Sequence, residues 1–198
     1  LDDNGDIWIT PSGIDKGSLT SQDIIRVKAD GTIEGIHKPS VELPVHEKIY
    51  QKRPDIKAII HAHPPALVAF SIVRRIPNTR IIPNAHLICG SVSMAEYAVP
   101  GSAELGKNIA REFEKGHSTV MLENHGVMVG RSDLFKTFMA FETLDFCARL
   151  EINASKIGQP ITLTDRQISI SENKQNVVMD EFIPQKFSSP ERSARKEM

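Results

Sequence analysis

Residues 58–65 read AIIHAHPP, and no other stretch decides the fold as strongly. The apolar run that leads into it begins at Ile56 and has the length of one β-strand. Two prolines then close the run and can open a helix, since proline is tolerated in a first helical turn. His61 and His63 stand two positions apart, so on a strand both side chains point to one face. The stretch predicts a strand, a helix and two imidazoles that share one space.

Two converging neutral imidazoles suit a divalent metal such as zinc. The pair alone is a weak signal, because two histidines at a strand end can equally bond to the backbone or to water. Residues 123–126 (ENHG) lie between two short apolar stretches and add His125 beside a glycine, which permits a tight turn and a close approach. Three histidines would leave one tetrahedral position open, as in catalytic zinc sites. Glu42 is a carboxylate that could occupy that position and then act as a base.

Strand and helix patterns alternate along the rest of the chain. This alternation favours an α/β fold in which helices cover a sheet, and the hairpins argue against an all-parallel sheet. Trp8 and the phenylalanine-rich last helix are expected in the core. The predicted strands are 6–10, 24–27, 32–36, 119–123 and 127–129, and the predicted helices are 43–53, 64–73, one capped by Ser102 that ends near 116, and one capped by Ser132 that ends at 158.

Composition excludes several classes of function. The 198 residues carry 24 basic and 25 acidic side chains, so no strong field would hold nucleic acid or an anionic membrane. No apolar run approaches the length of a membrane-spanning helix. The two cysteines, Cys89 and Cys147, stand in apolar surroundings and indicate reduced core thiols in a cytoplasmic protein.

Length and the apolar fraction of 40% fit a single domain over residues 1–198. The chain begins at Leu1 without a methionine and lacks an early motif discussed below, so we expect the N-terminal part of the domain to be missing. Residues 185–198 are polar and are expected to form a tail.

Four segments resemble the class II aldolase/adducin-head family in both order and spacing, and most closely its L-fuculose-phosphate aldolase-like members. They are WITPSG (8–13), HKPSVELPVH (37–46), AIIHAHPP (58–65) and MLENHGVMVG (121–130), within a likeness that extends over about residues 6–160. The resemblance implies a three-layer α/β/α sandwich whose central sheet, mostly antiparallel or mixed, is flanked by helices. It also implies a homotetramer with sites near the subunit interfaces.

The resemblance also implies roles for individual residues. The metal would be zinc (Zn²⁺) as in the family's aldolases, although another divalent ion would fit the same ligands. The implied ligands are His61, His63 and His125, the implied acid/base is Glu42, and the implied contacts to the substrate phosphate are Ser12, Gly13 and Ser40.

The implied activity is cleavage of a ketose 1-phosphate to dihydroxyacetone phosphate and an aldehyde through an enediolate. A dehydratase of the family also keeps a glutamate at position 42, whereas the 4-epimerases tend to carry aspartate there. A non-catalytic adducin-like interaction module remains an alternative, although adducin heads lack the three histidines. Two departures from the pattern matter: the family's upstream Gly-Asn-x-Ser element is absent, and only Tyr50 and Tyr97 could supply a phenol, so the proton donor to the leaving aldehyde is unidentified.

Overall fold

A computed structural model describes the backbone of residues 1–181 and the side chains of residues 1–173. The predicted tail at 185–198 lies outside the described residues. The strands are β1 (Ile7–Ile9), β2 (Ile25–Val27), β3 (Ile33–Glu34), β4 (Ala58–Ala62), β5 (Val92–Ala95), β6 (Thr119–Leu122) and β7 (Gly126–Arg131). The helices are α1 (Leu43–Lys52), α2 (Pro65–Ile72), α3 (Ala85–Cys89), α4 (Ala103–Glu114), α5 (Leu134–Ile157) and α6 (Asp165–Glu181), with 3₁₀ turns at Lys16–Ser18, Ser21–Asp23 and Thr79–Ile81.

A four-stranded sheet in the order β4-β7-β6-β5 forms the centre of the fold. The β4–β7 and β7–β6 pairs are antiparallel, and the β6–β5 pair is parallel, so the sheet is mixed as predicted. Every residue of β6 is buried. The consecutive apolar residues Val120, Met121 and Leu122 follow from this position, because a strand covered on both faces has no solvent side.

Helices cover both faces of this sheet. On one face, α1 and α4 pack Ile49, Ile109 and Phe113 against Val120 and other residues of the sheet. On the opposite face, a second cluster joins residues of α2, α3 and α5 to Met121, Val127 and Val129. Neighbouring residues of β6 therefore enter different cores, as the alternation of side chains along a strand requires. The predicted three-layer α/β/α class is confirmed.

The N-terminal strands form a separate antiparallel sheet in the order β1-β2-β3. Their inward side chains are Ile7, Ile9, Ile25 and Val27, and these pack near Leu43 and Tyr50 rather than joining the central sheet. The predicted hairpin around Asp30-Gly31 is present, as β2 and β3. The segments that contain Ser12 and Ser40 follow β1 and β3, and an isolated bridge between Pro11 and Pro39 pairs them.

The prediction of a core position was wrong for Trp8 and for Phe135, Phe138 and Phe146 of the last long helix, whereas Phe141 packs against the core as predicted. Trp8 is 52% exposed, because Ile7 and Ile9 take the inward positions of its strand, and Arg26 lies over its ring. Phe135 and Phe138 are 73% and 51% exposed. Helix α5 is apolar on several sides, and its sheet-facing side is built from smaller residues, namely Thr137, Ala140, Leu144, Cys147 and Ala148.

The helix caps and short elements show where the local sequence was sufficient to predict the structure and where it was not. Ser102 caps α4 as predicted, with its hydroxyl accepting from the Leu105 N–H. Helix α5 is capped by Asp133 rather than Ser132, since the Asp133 carboxylate accepts from the Lys136 N–H at 2.8 Å. The elements α3, β5 and α6 were not predicted. Both cysteines are buried, as predicted. Among the described residues, no helix combines the length and the apolar character needed to cross a bilayer.

Candidate metal centre

The antiparallel pairing of β4 with β7 brings the three histidines together. Ala62 pairs with Val127, so the end of β4 meets the start of β7. His61 lies in β4, His63 is the first residue after β4, and His125 is the last residue before β7. One nitrogen from each imidazole lies within 4.8 Å of the other two, close enough for all three to share one ion. Residues 61 and 125 are far apart in sequence, and the strand register alone makes them neighbours.

Two backbone features near His125 make this approach feasible. A Cβ atom on Gly126 would lie 2.4 Å from the Ala62 carbonyl oxygen and 2.7 Å from Cδ2 of His63. Only glycine therefore allows β7 to begin so close to the end of β4. Asn124 adopts left-handed backbone with φ of 53°, which asparagine tolerates better than most residues, and it turns the three-residue connection from β6 to β7.

Hydrogen bonding orients the imidazole of His61. Its Nδ1 lies 3.1 Å from the Val127 carbonyl oxygen, which can only accept, so Nδ1 carries the proton. Its Nε2 is then left with a free lone pair, and it lies 3.1 Å from Nε2 of His63. This spacing is close to the roughly 3.3 Å between two nitrogens that are each about 2.05 Å from one tetrahedral zinc ion.

The nitrogen Nδ1 of His125 is buried and has no hydrogen-bond partner among the described residues. A buried imidazole nitrogen without a partner is unfavourable unless an ion or a water molecule satisfies it. The donor set, the spacing and this unsatisfied nitrogen all fit a divalent metal ion.

Burial favours the neutral form of the imidazoles of His61 and His125. It lowers the pKa of His61 to about 4, with His63 adding to the effect, and it also lowers the pKa of His125. A neutral imidazole is the form that binds a metal, so at neutral pH these rings need not lose a proton first.

Glu42 is the residue before α1 and lies near this cluster. Partial burial raises the pKa of its carboxyl, and the neighbouring His63 opposes that shift. Its side chain makes no capping hydrogen bond to the helix, so the carboxylate is not engaged by the end of α1. A half-buried carboxylate with a raised pKa is suited to accept and return protons.

The comparisons with known proteins agree with this geometry. The model of the family described as the Class II Aldolase and Adducin N-terminal domain matches residues 1–152. The chain belongs to this family. An L-fuculose phosphate aldolase of Methanococcus maripaludis is 32% identical over 145 residues, which cover 73% of this chain and 77% of the relative. A solved structure of L-fuculose 1-phosphate aldolase has a TM-score of 0.70 and 33% identity, covering 86% of this chain and 80% of that one.

The names of other similar proteins describe different reactions. A 5-deoxy-D-ribulose 1-phosphate aldolase of Bacillus thuringiensis is 31% identical over 171 residues, covering 84% of this chain and 78% of the relative. A 3-oxo-tetronate 4-phosphate decarboxylase of Haemophilus influenzae is 32% identical over 179 residues, covering 88% and 83%. All these names describe reactions of small phosphorylated sugars or sugar acids, whereas the bond that is broken differs.

The segments that contain Ser12 and Ser40, predicted as phosphate contacts from the family resemblance, lie side by side. The Ser12 N–H donates to the Lys38 carbonyl at 3.0 Å, and the Ser40 N–H donates to the Thr10 carbonyl at 3.1 Å. The Ser40 hydroxyl accepts from the Glu42 N–H at 3.2 Å, so this serine is also tied to the acidic residue. Gly13 has φ of 70°, and no atom would crowd a Cβ there, so the loop surface is open at that position.

Two further residues near the histidines, His46 and Glu123, are held in place by burial or by hydrogen bonds. His46 lies one helical turn after Glu42 and is buried. Its spacing of four residues from Glu42 was the available signal. Glu123 precedes His125 by two residues and bonds to groups outside the hairpin, and sequence reasoning gave it no role. A cleft of about 510 Å³ near Trp8 and Lys57 contains none of the three histidines.

Proposed function

We propose that this protein is a metal-dependent aldolase that cleaves a ketose 1-phosphate of the fuculose-phosphate type to dihydroxyacetone phosphate and an aldehyde. The observation that carries the proposal is the convergence of His61, His63 and His125 within 4.8 Å, in a chain that belongs to the class II aldolase family. A purely structural role for the domain would not require three imidazoles to converge at one end of the sheet.

The three histidines would hold the ion, with zinc as the first candidate because three nitrogen ligands with one open position are typical of catalytic zinc. When bound, the ion supplies Lewis-acid stabilisation of negative charge on substrate oxygens. The Val127 carbonyl fixes the tautomer of His61 and so keeps its Nε2 directed toward that position.

Glu42 would be the acid/base. In aldol cleavage a base removes the proton from the hydroxyl group whose carbon becomes the aldehyde, and the adjacent carbon–carbon bond breaks to leave an enediolate. A proton must then return to carbon to give dihydroxyacetone phosphate. The raised pKa of Glu42 supports both transfers, since a carboxyl closer to the working pH can accept and donate.

Ser12, Gly13 and Ser40 would bind the substrate phosphate through the two serine hydroxyls and the Gly13 N–H, which suit an anion without requiring net positive charge. The proposal is supported by the pairing of their two segments and by the hydrogen bond from the Glu42 N–H to the Ser40 hydroxyl, which connects Ser40 to the proposed acid/base.

A second candidate is favoured by the relative named as a decarboxylase, which is 32% identical over 88% of this chain. Loss of carbon dioxide from a 2-hydroxy-3-oxo acid leaves the same kind of enediolate as aldol cleavage, so the same residues could serve both reactions. A dehydratase or 4-epimerase uses related proton transfers on sugar phosphates.

We further propose a homotetramer in which a neighbouring subunit completes the site. His63 is exposed, so the metal position is open to solvent in the single chain. Exposed apolar residues on α5, including Phe135 and Phe138, favour association, since soluble monomers rarely expose such groups together. Sedimentation equilibrium would measure the state, and a monomer at micromolar concentration would contradict this part of the proposal.

The main test compares wild-type protein with His61→Ala and Glu42→Gln. The purified protein is analysed for bound metal, then incubated with L-fuculose 1-phosphate, 5-deoxy-D-ribulose 1-phosphate and 3-oxo-tetronate 4-phosphate. Triose phosphate and carbon dioxide are measured separately. We expect triose phosphate from a ketose 1-phosphate, loss of metal and activity in His61→Ala, and retained metal with turnover lowered at least about a hundredfold in Glu42→Gln.

His117→Ala is the matched control, because His117 precedes β6, at the opposite end of that strand from His125, and bonds to Ser91. Carbon dioxide from the oxo acid without triose phosphate from any ketose would reject the aldolase in favour of the decarboxylase. Wild-type protein that binds no metal would reject the proposed function.

A further inference from the structure

The connection between β6 and β7 is anchored from outside the hairpin through its first residue, Glu123. The Glu123 N–H donates to the Ala95 carbonyl at 3.3 Å, at the end of β5. One carboxylate oxygen, Oε2, accepts from the Tyr97 N–H at 3.0 Å, and the other, Oε1, lies 3.0 Å from Nε of Arg74. Both carboxylate oxygens therefore have partners, and they link the connection to the segment that follows β5 and to the segment that follows α2.

Arg74 occupies an unusual backbone position. It follows the end of α2, where the Arg75 N–H donates to the Phe70 carbonyl at 3.0 Å and the Arg74 N–H to the Ser71 carbonyl at 3.3 Å. Helices that end in this way normally place glycine at the left-handed residue. Arg74 has φ of 56° there, a conformation that is strained for a residue with a long side chain.

Nη1 of Arg74 donates to the carbonyls of Ser71 and Ile72 at 2.8 and 3.2 Å, at the end of its own helix, but glycine commonly ends helices of this kind without such bonds. The side chains of Arg74 and Glu123 are 44% and 23% exposed, and ion pairs with this much solvent contact contribute little to stability. Glycine would relieve the backbone strain. The arginine is better explained by what its guanidinium holds in place.

The next residue, Arg75, provides an internal contrast. Its guanidinium lies 2.8 Å from the carboxylate of Glu151, which is only 8% exposed, and it also lies over the ring of Phe70. Arg75 therefore pairs with a buried charge on α5, whereas Arg74 pairs with the connection that carries His125. Two adjacent arginines thus serve different parts of the molecule.

We propose that Arg74 is a positioning residue for the metal centre: through Glu123 it holds the connection from β6 to β7 so that His125 stays within reach of His61 and His63. Gly126 fixes the far end of that connection by its close contact with Ala62. The contacts of Glu123 restrain the near end of the connection, and Asn124 between the two ends is exposed. Without the ion pair to Arg74, the near end of the connection would have fewer restraints.

This inference rests on the proposed metal site, and its expected effect is on metal affinity. Residues that orient a ligand typically change affinity by about 10- to 100-fold when they are replaced. Arg74 acts through one intervening residue, so we expect the lower end, about tenfold weaker zinc binding.

The test uses the full chain as wild type, Arg74→Gly, Arg74→Lys and Arg75→Ala. Zinc affinity is measured by competition with a chromophoric chelator, the visible spectrum is recorded after loading with cobalt, and thermal unfolding is followed in metal-free protein. For Arg74→Gly we expect about tenfold weaker zinc binding and a changed cobalt spectrum, without a fall in the metal-free Tm. Arg74→Lys should recover part of the affinity, because an ammonium group can still pair with Glu123.

Arg75→Ala should show the opposite pattern, with a lower Tm and wild-type zinc affinity, because it leaves the buried carboxylate of Glu151 without its cationic partner. Zinc binding and a cobalt spectrum equal to wild type in Arg74→Gly would overturn the inference. If the loss of zinc affinity in each variant were proportional to the fall in its metal-free Tm, the inference would also be overturned. Wild-type protein that binds no zinc would instead defeat the proposed function, and this inference with it.

Discussion

At the scale of single residues, adding one methyl group at Gly126 should have a large effect on stability and on metal binding. An added Cβ would meet a backbone oxygen at 2.4 Å, so β7 would have to move away from β4. We expect Gly126→Ala to lower the free energy of unfolding by about 1–3 kcal/mol, as other overpacked substitutions do, and to reduce bound metal. Urea unfolding and metal analysis would measure both effects.

The control for that substitution is Gly158→Ala at the end of α5, where the backbone is extended and no atom lies within 4 Å of an added Cβ. It should leave both quantities near wild type. Normal metal content in a stable Gly126→Ala protein would show that the close approach of the strands is not needed for the site.

His46 sets the acid stability of the metal-free protein. Burial lowers its pKa to about 4, against about 6.5 in the unfolded chain. Because the unfolded state then binds the proton more readily, stability is fully present above pH 6.5 and is lost as the pH falls toward 4. The difference corresponds to a loss on the order of 3 kcal/mol.

The measurement is urea unfolding in a chelator at pH 7.5 and pH 4.5, for wild type and His46→Gln. The variant should lose less stability on acidification, although His61, whose pKa burial also lowers to about 4, will contribute in both proteins. An equal loss in the two proteins would show that His46 is accessible to protons in the folded state.

At the scale of elements, Arg131 joins the end of β7 to the end of α3. Its guanidinium donates to the carbonyls of Cys89 at 2.6 Å and Ser118 at 2.7 Å. Replacing it by methionine would leave these carbonyls without their charged donor. We expect Arg131→Met to lower the free energy of unfolding by about 2–3 kcal/mol, measured by urea unfolding.

Arg149→Ala is the matched control for that prediction. Arg149 is 57% exposed and pairs with Asp145 one turn earlier on α5, so its loss should cost less than about 1 kcal/mol. Equal effects of the two substitutions would mean that the bonds from Arg131 do not stabilise the connection between α3 and β7.

At the scale of the whole molecule, metal binding should be coupled to folding. An ion at one hundred times its dissociation constant that binds only the folded chain adds about 2.7 kcal/mol. In a protein of this size that amount raises the Tm by roughly 5–10 °C. Calorimetry with and without a chelator would measure the shift, and His125→Ala should abolish it.

The same calorimetric scan tests the proposal that residues 1–198 form one domain. The small N-terminal sheet packs near Leu43 and Tyr50 of α1, and α1 packs into the core of the central sheet. We therefore expect a single cooperative transition. Two separated transitions would show that the N-terminal sheet unfolds independently.

The sequence by itself determined the features that depend on near neighbours. The apolar run and prolines around His61 predicted β4 and α2, Ser102 predicted the cap of α4, and the four motifs predicted the family and the fold class. The first two signals lie within a few residues, where periodicity, capping and proline stereochemistry act directly on the local backbone, whereas the family resemblance depended on the order and spacing of the motifs.

The tertiary structure alone decided which distant groups meet and which surfaces stay exposed. The register of β4 against β7 brings His125 to His61, the choice of sheet-facing residues leaves Phe135 and Phe138 exposed, and the left-handed turn at Arg74 directs its side chain to Glu123. None of these follows from local preference, because each depends on how remote segments compete to cover the same apolar surface and satisfy the same polar groups.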